Sequence, residues 1–127
     1  VLRTIYKVKG ADKVIGVTDS IEATGMEDGT YKLGLQNVTT KDGIATLEDG
    51  TLAGSTLTMD LALRNLVNKV GLPLEDAVRI LTNNPAKLIN ANNIGLLKNG
   101  YKADITILDS DLKVKYTIVN GKVVYKA

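Results

Sequence analysis

Val14-Ile15-Gly16-Val17-Thr18-Asp19 is the stretch on which the reading of the fold turns. Its first five residues are short, apolar and β-branched, which suits a strand buried on both faces, as strands of parallel sheets are. Asp19 then stands at the C-terminal end of that strand, where β/α proteins gather the loops that carry their chemistry. Upstream, Leu2, Ile5, Tyr6 and Val8 fall at helical spacing, and Gly10 sits where a helix C-cap glycine would. Downstream, Tyr31-Lys32-Leu33, Val38-Thr39-Thr40 and Ile44-Ala45-Thr46-Leu47 flank the turn Lys41-Asp42-Gly43, a strong hairpin signal. Two or three short antiparallel strands are expected there, inserted between the buried strand and the next helix.

That helix carries Met59, Ala62, Leu63, Leu66, Val67 and Val70 in an i, i+3, i+4, i+7 pattern, and Gly71 should stop it. A second helix is expected from Pro73, with Leu74, Ala77, Val78 and Leu81 on one face. Asn83-Asn84-Pro85 should break it and cap a short helix over residues 86–89. After Gly95 the period becomes that of strands: residues 103–109, then 114–119 and 122–125 around Asn120-Gly121, which predicts a type I′ turn.

Composition narrows the function. The 127 residues are 44% hydrophobic and 24% charged, enough for one ordinary core, and with no Trp or Phe and five Tyr that core must be aliphatic. A net charge of +2, with Lys and Arg scattered among acids, offers no basic stripe for nucleic acid. No apolar run approaches the roughly 18 to 20 residues of a membrane span, and no leader pattern is visible, so a cytoplasmic protein is expected. Cys is absent, and so is His, which removes the commonest metal ligand and the commonest general base. The start Val1-Leu2-Arg3 reads as part of a longer protein.

Two candidates for chemistry remain. Asp19 is a carboxylate at a strand end, or else the cap of the turn that begins at Ser20; the residues alone leave these readings equal. Thr51-Leu52-Ala53-Gly54-Ser55 is a small, flexible loop that lets backbone groups approach a ligand, although a helix N-terminus with Ser55 as N-cap is the favoured plain reading.

Val17-Thr18-Asp19, together with Asp49-Gly50-Thr51-Leu52-Ala53-Gly54-Ser55-Thr56-Leu57-Thr58-Met59, resembles the C-terminal part of the N-acetylglucosamine-6-phosphate deacetylases. Asn84-Pro85-Ala86 and residues 95–105 resemble endings shared by the wider amidohydrolase superfamily. The resemblance implies an α/β fold: the C-terminal part of a (β/α)8 TIM-type barrel over residues 1–90, with a β-hairpin insertion at about 30–48. It further implies that residues 91–127 are C-terminal strands of a small β-sandwich domain.

Asp19 matches the family's catalytic aspartate, and Leu52, Ala53 and Gly54 match a loop that touches the amino sugar. The implied cofactor of the full-length enzyme is a divalent metal of Zn or Fe type, held by ligands upstream, with none expected in this chain. The implied partners are a small sugar phosphate and, for the intact enzyme, a second copy in a homodimer. A dihydroorotase-like or deaminase-like hydrolase, or a noncatalytic module of the same fold, are the alternatives. The Gly50-to-Ser55 loop favours the amino-sugar deacetylase over the first.

Overall fold

Glycines at positive φ punctuate the helices and hairpins of the computed structural model, which describes residues 1–127 throughout. The architecture is mixed α/β with small, open sheets. Contacts divide the chain into two units, Val1–Gly16 with Leu63–Ala127, and Val17–Ala62.

In the first unit, α1 (Leu2–Lys9) closes at Gly10, whose φ of 74° few other residues adopt and whose N–H donates to the Tyr6 carbonyl at 2.8 Å. α2 (Met59–Arg64), whose first four residues belong to the second unit, runs on as a π-helical turn over Asn65–Val70 and stops at Gly71, left-handed at φ 79°, as expected. Beyond Pro73 come α3 (Leu74–Leu81) and α4 (Asn83–Leu88). Leu63, Leu72, Ala77 and Ile80 form the buried core, with Tyr6, Val14 and Leu81 among the side chains packed on it. Each fully buried aliphatic side chain contributes about 1.5–3 kcal/mol, so this cluster dominates the unit.

β4 (Ile105–Leu108), β5 (Val114–Val119) and β6 (Lys122–Lys126) make an antiparallel sheet in the order β4-β5-β6. Val119 pairs with Lys122 across Asn120 and Gly121, at φ 49° and 78°, the two positive values a type I′ turn requires.

Three expectations fail in this unit. Residues 14–18 form no strand: the parallel ladder read from their apolar run is absent, because a strand buried on both faces needs strands on either side and no segment of this chain offers them. The segment is tied instead by the Gly16 N–H to the Ile80 carbonyl at 3.1 Å, and a Cβ on Gly16 would come within 2.5 Å of Leu81 Cδ2. On α3 the buried face is Ala77 and Ile80, while Leu74 and Val78 are exposed, a rotation of about one residue from the face read in the sequence. Asn84 is no cap: it is buried, and its Nδ2 donates to the carbonyls of Ala11 and Val14, each at 2.7 Å. Thr82, at φ −127° and ψ −74°, breaks the helix.

The second unit holds β1 (Gly29–Leu33), β2 (Gln36–Lys41) and β3 (Ile44–Thr46), antiparallel in the order β1-β2-β3. Asp42 and Gly43, at φ 52° and 77°, make the predicted turn, with Lys41 opposite Ile44. Its core is small: Val38, Ala45 and Ala53, with Ile21 and Leu47 against them.

Candidate active site

The loop after β3 is pinned along its whole length, contrary to its reading as flexible. The Leu47 N–H donates to the Thr51 carbonyl at 2.8 Å, and the Ala53 N–H to the Ala45 carbonyl at 2.9 Å. Leu52 bridges Thr46 in antiparallel sense. Asp49 accepts the Thr51 N–H at 2.9 Å, and that bond, with a further one from the Thr51 side chain, holds its carboxyl below the ordinary value. Small residues make this close approach possible: Ala53 is buried, whereas Leu52 is 73% exposed.

The far end of the loop is fastened to Asp19. Ser55 and Ser20 form a parallel bridge in which the Ser55 N–H donates to the Asp19 carbonyl and the Ile21 N–H to the Ser55 carbonyl, both at 2.9 Å. Ser55 Oγ donates to the Thr18 carbonyl at 2.6 Å and accepts the Leu57 N–H at 2.9 Å. Ser55 is therefore not the N-cap read from the sequence. The helix begins four residues later at Met59, with the Ala62 N–H on the Thr58 carbonyl, and the Ser55 hydroxyl is used to tie two segments.

Asp19 itself adopts φ 52°, a left-handed conformation that aspartate tolerates better than most side chains do. It is exposed, and its carboxylate accepts no hydrogen bond from the chain, which removes the turn-cap reading: the next turn closes by the Thr24 N–H on the Ile21 carbonyl without it. Gly54, at φ 76°, lies directly beneath. A Cβ there would stand 2.5 Å from Ile21 Cγ2, 3.2 Å from the Asp19 carbonyl and 4.0 Å from Asp19 Oδ2. The structure thus brings together Asp19 and Gly54, with Ala53 anchored below and Leu52 exposed beside them.

An exposed, unpaired carboxylate beside an exposed glycine can take up and return a proton while nearby backbone holds a polar ligand. The residues present do not form a metal centre on their own, since the chain has neither His nor Cys and no group of three or more acidic side chains converges. Sequence reasoning missed Ser55 as a tie and Ile21 as the side chain packed where a Cβ on Gly54 would fall. Ser55 did carry a signal, a hydroxyl directly after Ala-Gly, but one that serves a cap as well.

The chain matches the Amidohydrolase family over residues 13–124 and belongs to that family. Within it, the chain is similar to the N-acetylglucosamine-6-phosphate deacetylase of Lysinibacillus sphaericus, 42% identical over 118 residues that make up 93% of this chain and 30% of the relative. It is also similar to the N-acetylgalactosamine-6-phosphate deacetylase of Escherichia coli O157:H7, 34% identical over 112 residues, 87% of this chain and 30% of the relative. Among solved structures, an aspartate-to-alanine variant of N-acetyl-D-glucosamine-6-phosphate deacetylase from Mycobacterium smegmatis, in complex with N-acetyl-D-glucosamine-6-phosphate, matches with a TM-score of 0.91. Identity there is 36%, over 97% of this chain and 33% of that one. The chain spans about a third of the length of these relatives. No helix is long and apolar enough to cross a membrane.

Proposed function

We propose that this chain is the C-terminal third of an N-acetylglucosamine-6-phosphate deacetylase, and that Asp19 moves the proton in its reaction. The observation that carries the reading is the unpaired Asp19 carboxylate beside Gly54 in a pinned loop. The names and coverage of the similar proteins support it. In the reaction, water adds to the N-acetyl carbonyl carbon and Asp19 takes its proton. The C–N bond then breaks, and Asp19 returns the proton to the departing amine, leaving glucosamine 6-phosphate and acetate. Leu52 and Gly54, exposed, orient the amino sugar by backbone and one apolar side chain, while buried Ala53 holds the loop between them in place.

The same proposal includes residues 1–90 as the closing part of a (β/α)8 barrel and residues 91–127 as strands of a small β-sandwich domain. Residues 14–18, which lie in no strand of this chain, are the piece that barrel neighbours would complete. A divalent metal of Zn or Fe type belongs to the proposed full-length enzyme, a cytoplasmic homodimer. This chain's donors do not suffice for that metal, and the proton steps above rest on Asp19 alone. The Escherichia coli relative favours a second reading, in which the substrate is the galacto epimer.

Asp19→Asn in the full-length enzyme tests the assignment, because the amide keeps the size and suits the left-handed backbone but cannot take a proton. Turnover should fall about 10²- to 10⁴-fold, or roughly 3 to 5 kcal/mol of barrier, measured as acetate release from each epimer with metal content assayed in parallel. A folded, metal-loaded variant with wild-type turnover would end it.

A further inference from the structure

We infer that Ser55 is a positioning residue: its hydroxyl sets the distance between the Asp19 carboxylate and the sugar-binding loop. The inference rests on the deacetylase reading and names a residue outside it. Asp19 and Gly54 lie on two segments, which Ser55 joins next to both; Ser20 Oγ, donating to the Leu57 carbonyl, ties them further along. The Ser55 backbone makes the bonds to Asp19 and Ile21, both at 2.9 Å, and its Oγ joins the Thr18 carbonyl at 2.6 Å to the Leu57 N–H at 2.9 Å. Thr18 and Ser55 immediately adjoin Asp19 and Gly54 in sequence, so the hydroxyl spans the two flanks of the site.

Apolar contact stops short of the carboxylate. Ile21, two residues after Asp19, packs on the small core of Val38, Ala45 and Ala53, but the Asp19 side chain is exposed, so packing does not hold the carboxylate itself. Asp19 also sits at φ 52°, a conformation that persists only where surrounding bonds impose it. Displacements near 1 Å cost such reactions up to about a hundredfold, so a tie at this point is felt in rate before it is felt in folding.

Ser55→Ala keeps the backbone bonds and removes both hydroxyl bonds. In the full-length, metal-loaded enzyme it should lower kcat about tenfold, the worth of one net hydrogen bond, at a temperature where the variant is fully folded. Ser55→Thr retains the hydroxyl and should recover most of the loss. Thr56→Val serves as the control, since Thr56 Oγ1 donates to the Gly43 carbonyl at 2.9 Å in the same unit without touching the residues that flank Asp19. It should lower Tm without lowering kcat.

Wild-type kcat in Ser55→Ala, or a loss matched by Thr56→Val at equal folded fraction, overturns the inference. If Ser55→Ala does not fold, Ser55→Cys, which keeps the volume but bonds weakly, decides by the same comparison. An inactive Asp19→Asn with an unaffected Ser55→Ala sinks the positioning role alone. An active Asp19→Asn sinks the deacetylase assignment of Asp19 and the positioning role with it.

Discussion

The two units of this chain solve the same problem with different materials. Val1–Gly16 with Leu63–Ala127 is held by aliphatic packing, in which Leu63, Leu72 and Ile80 are buried and partly buried Leu, Val and Tyr6 side chains close around them. Val17–Ala62 buries little of comparable size, and its geometry comes from backbone hydrogen bonds, tight turns and small residues that let segments approach. The candidate site lies wholly in the second unit. Apolar packing fixes where side chains sit to within the slack of rotamers, whereas a backbone ladder fixes where N–H and C=O groups point. The proposed site, which would orient a sugar by backbone contacts, is better served by the second.

The sharpest way to break this contrast is Ile80→Ala. In the packed unit it should cost about 2–5 kcal/mol, read by urea unfolding of the protein that carries the chain. Amide exchange should accelerate in α1, α3 and α4 and stay nearly unchanged in β1, β2 and β3. Equal acceleration in the hairpin strands would show that one core supports both units and that the distinction is false.

A smaller effect probes the other material. Gly54→Ala adds one methyl at an exposed position, yet it meets Ile21 and the Asp19 carbonyl at a backbone φ of 76°. It should cost about 1–3 kcal/mol through strain and crowding. An unfolding midpoint equal to wild type would mean that the loop yields, and that its bonds do not define it.

The smallest effect concerns two carboxylates, one in each unit. Asp109 is held below its ordinary value chiefly by the Lys113 N–H, with help from the Asp111 N–H and the charges of Lys115 and Lys113, against some desolvation. Asp49 is lowered in the same direction by Thr51. A depressed carboxylate stabilises the folded state above its unfolded value of about 3.9, and the contribution is lost as pH falls through the lower folded value. Asp109→Asn should therefore be less stable than wild type at neutral pH, the two curves converging on acidification below about pH 4. Parallel curves at all pH values would show that the bonds to Asp109 carry no charge dependence.

What the sequence made legible follows the same division of materials. Turns declare themselves in single residues, so Asp42-Gly43, Asn120-Gly121 and the stop at Gly71 could be placed without coordinates. Helical periodicity located α2 and α3 but not the buried face of α3, because Leu74 and Val78 are as apolar as Ile80 and only the packed partners choose among them. Residues 14–18 form no ladder for a related reason: strand propensity is a statement about neighbours, and this chain supplies none. Asn84 looked like punctuation beside Pro85, since nothing local shows that residues 11–14 return to meet its amide.

The members of the candidate site, Asp19 and residues 52–54, could be named beforehand through family resemblance. The tie made by Ser55 could not. Serine at that point satisfies a helix cap and a cross-segment bond equally well until the helix is seen to start at Met59.

The positive φ of Asp19 has a consequence for anyone who would survey all substitutions at that position. Two independent scales are superposed there. Glycine and asparagine fit the left-handed backbone, alanine strains it, and valine or isoleucine strain it further, so cellular abundance should fall along that order irrespective of any proton. A growth screen that scores the product of abundance and turnover would rank the β-branched variants worst and credit chemistry with a deficit that belongs to the main chain. Normalising each variant to the amount of folded protein separates the scales, and glycine, which fits the backbone and has no carboxylate, then becomes the most informative substitution.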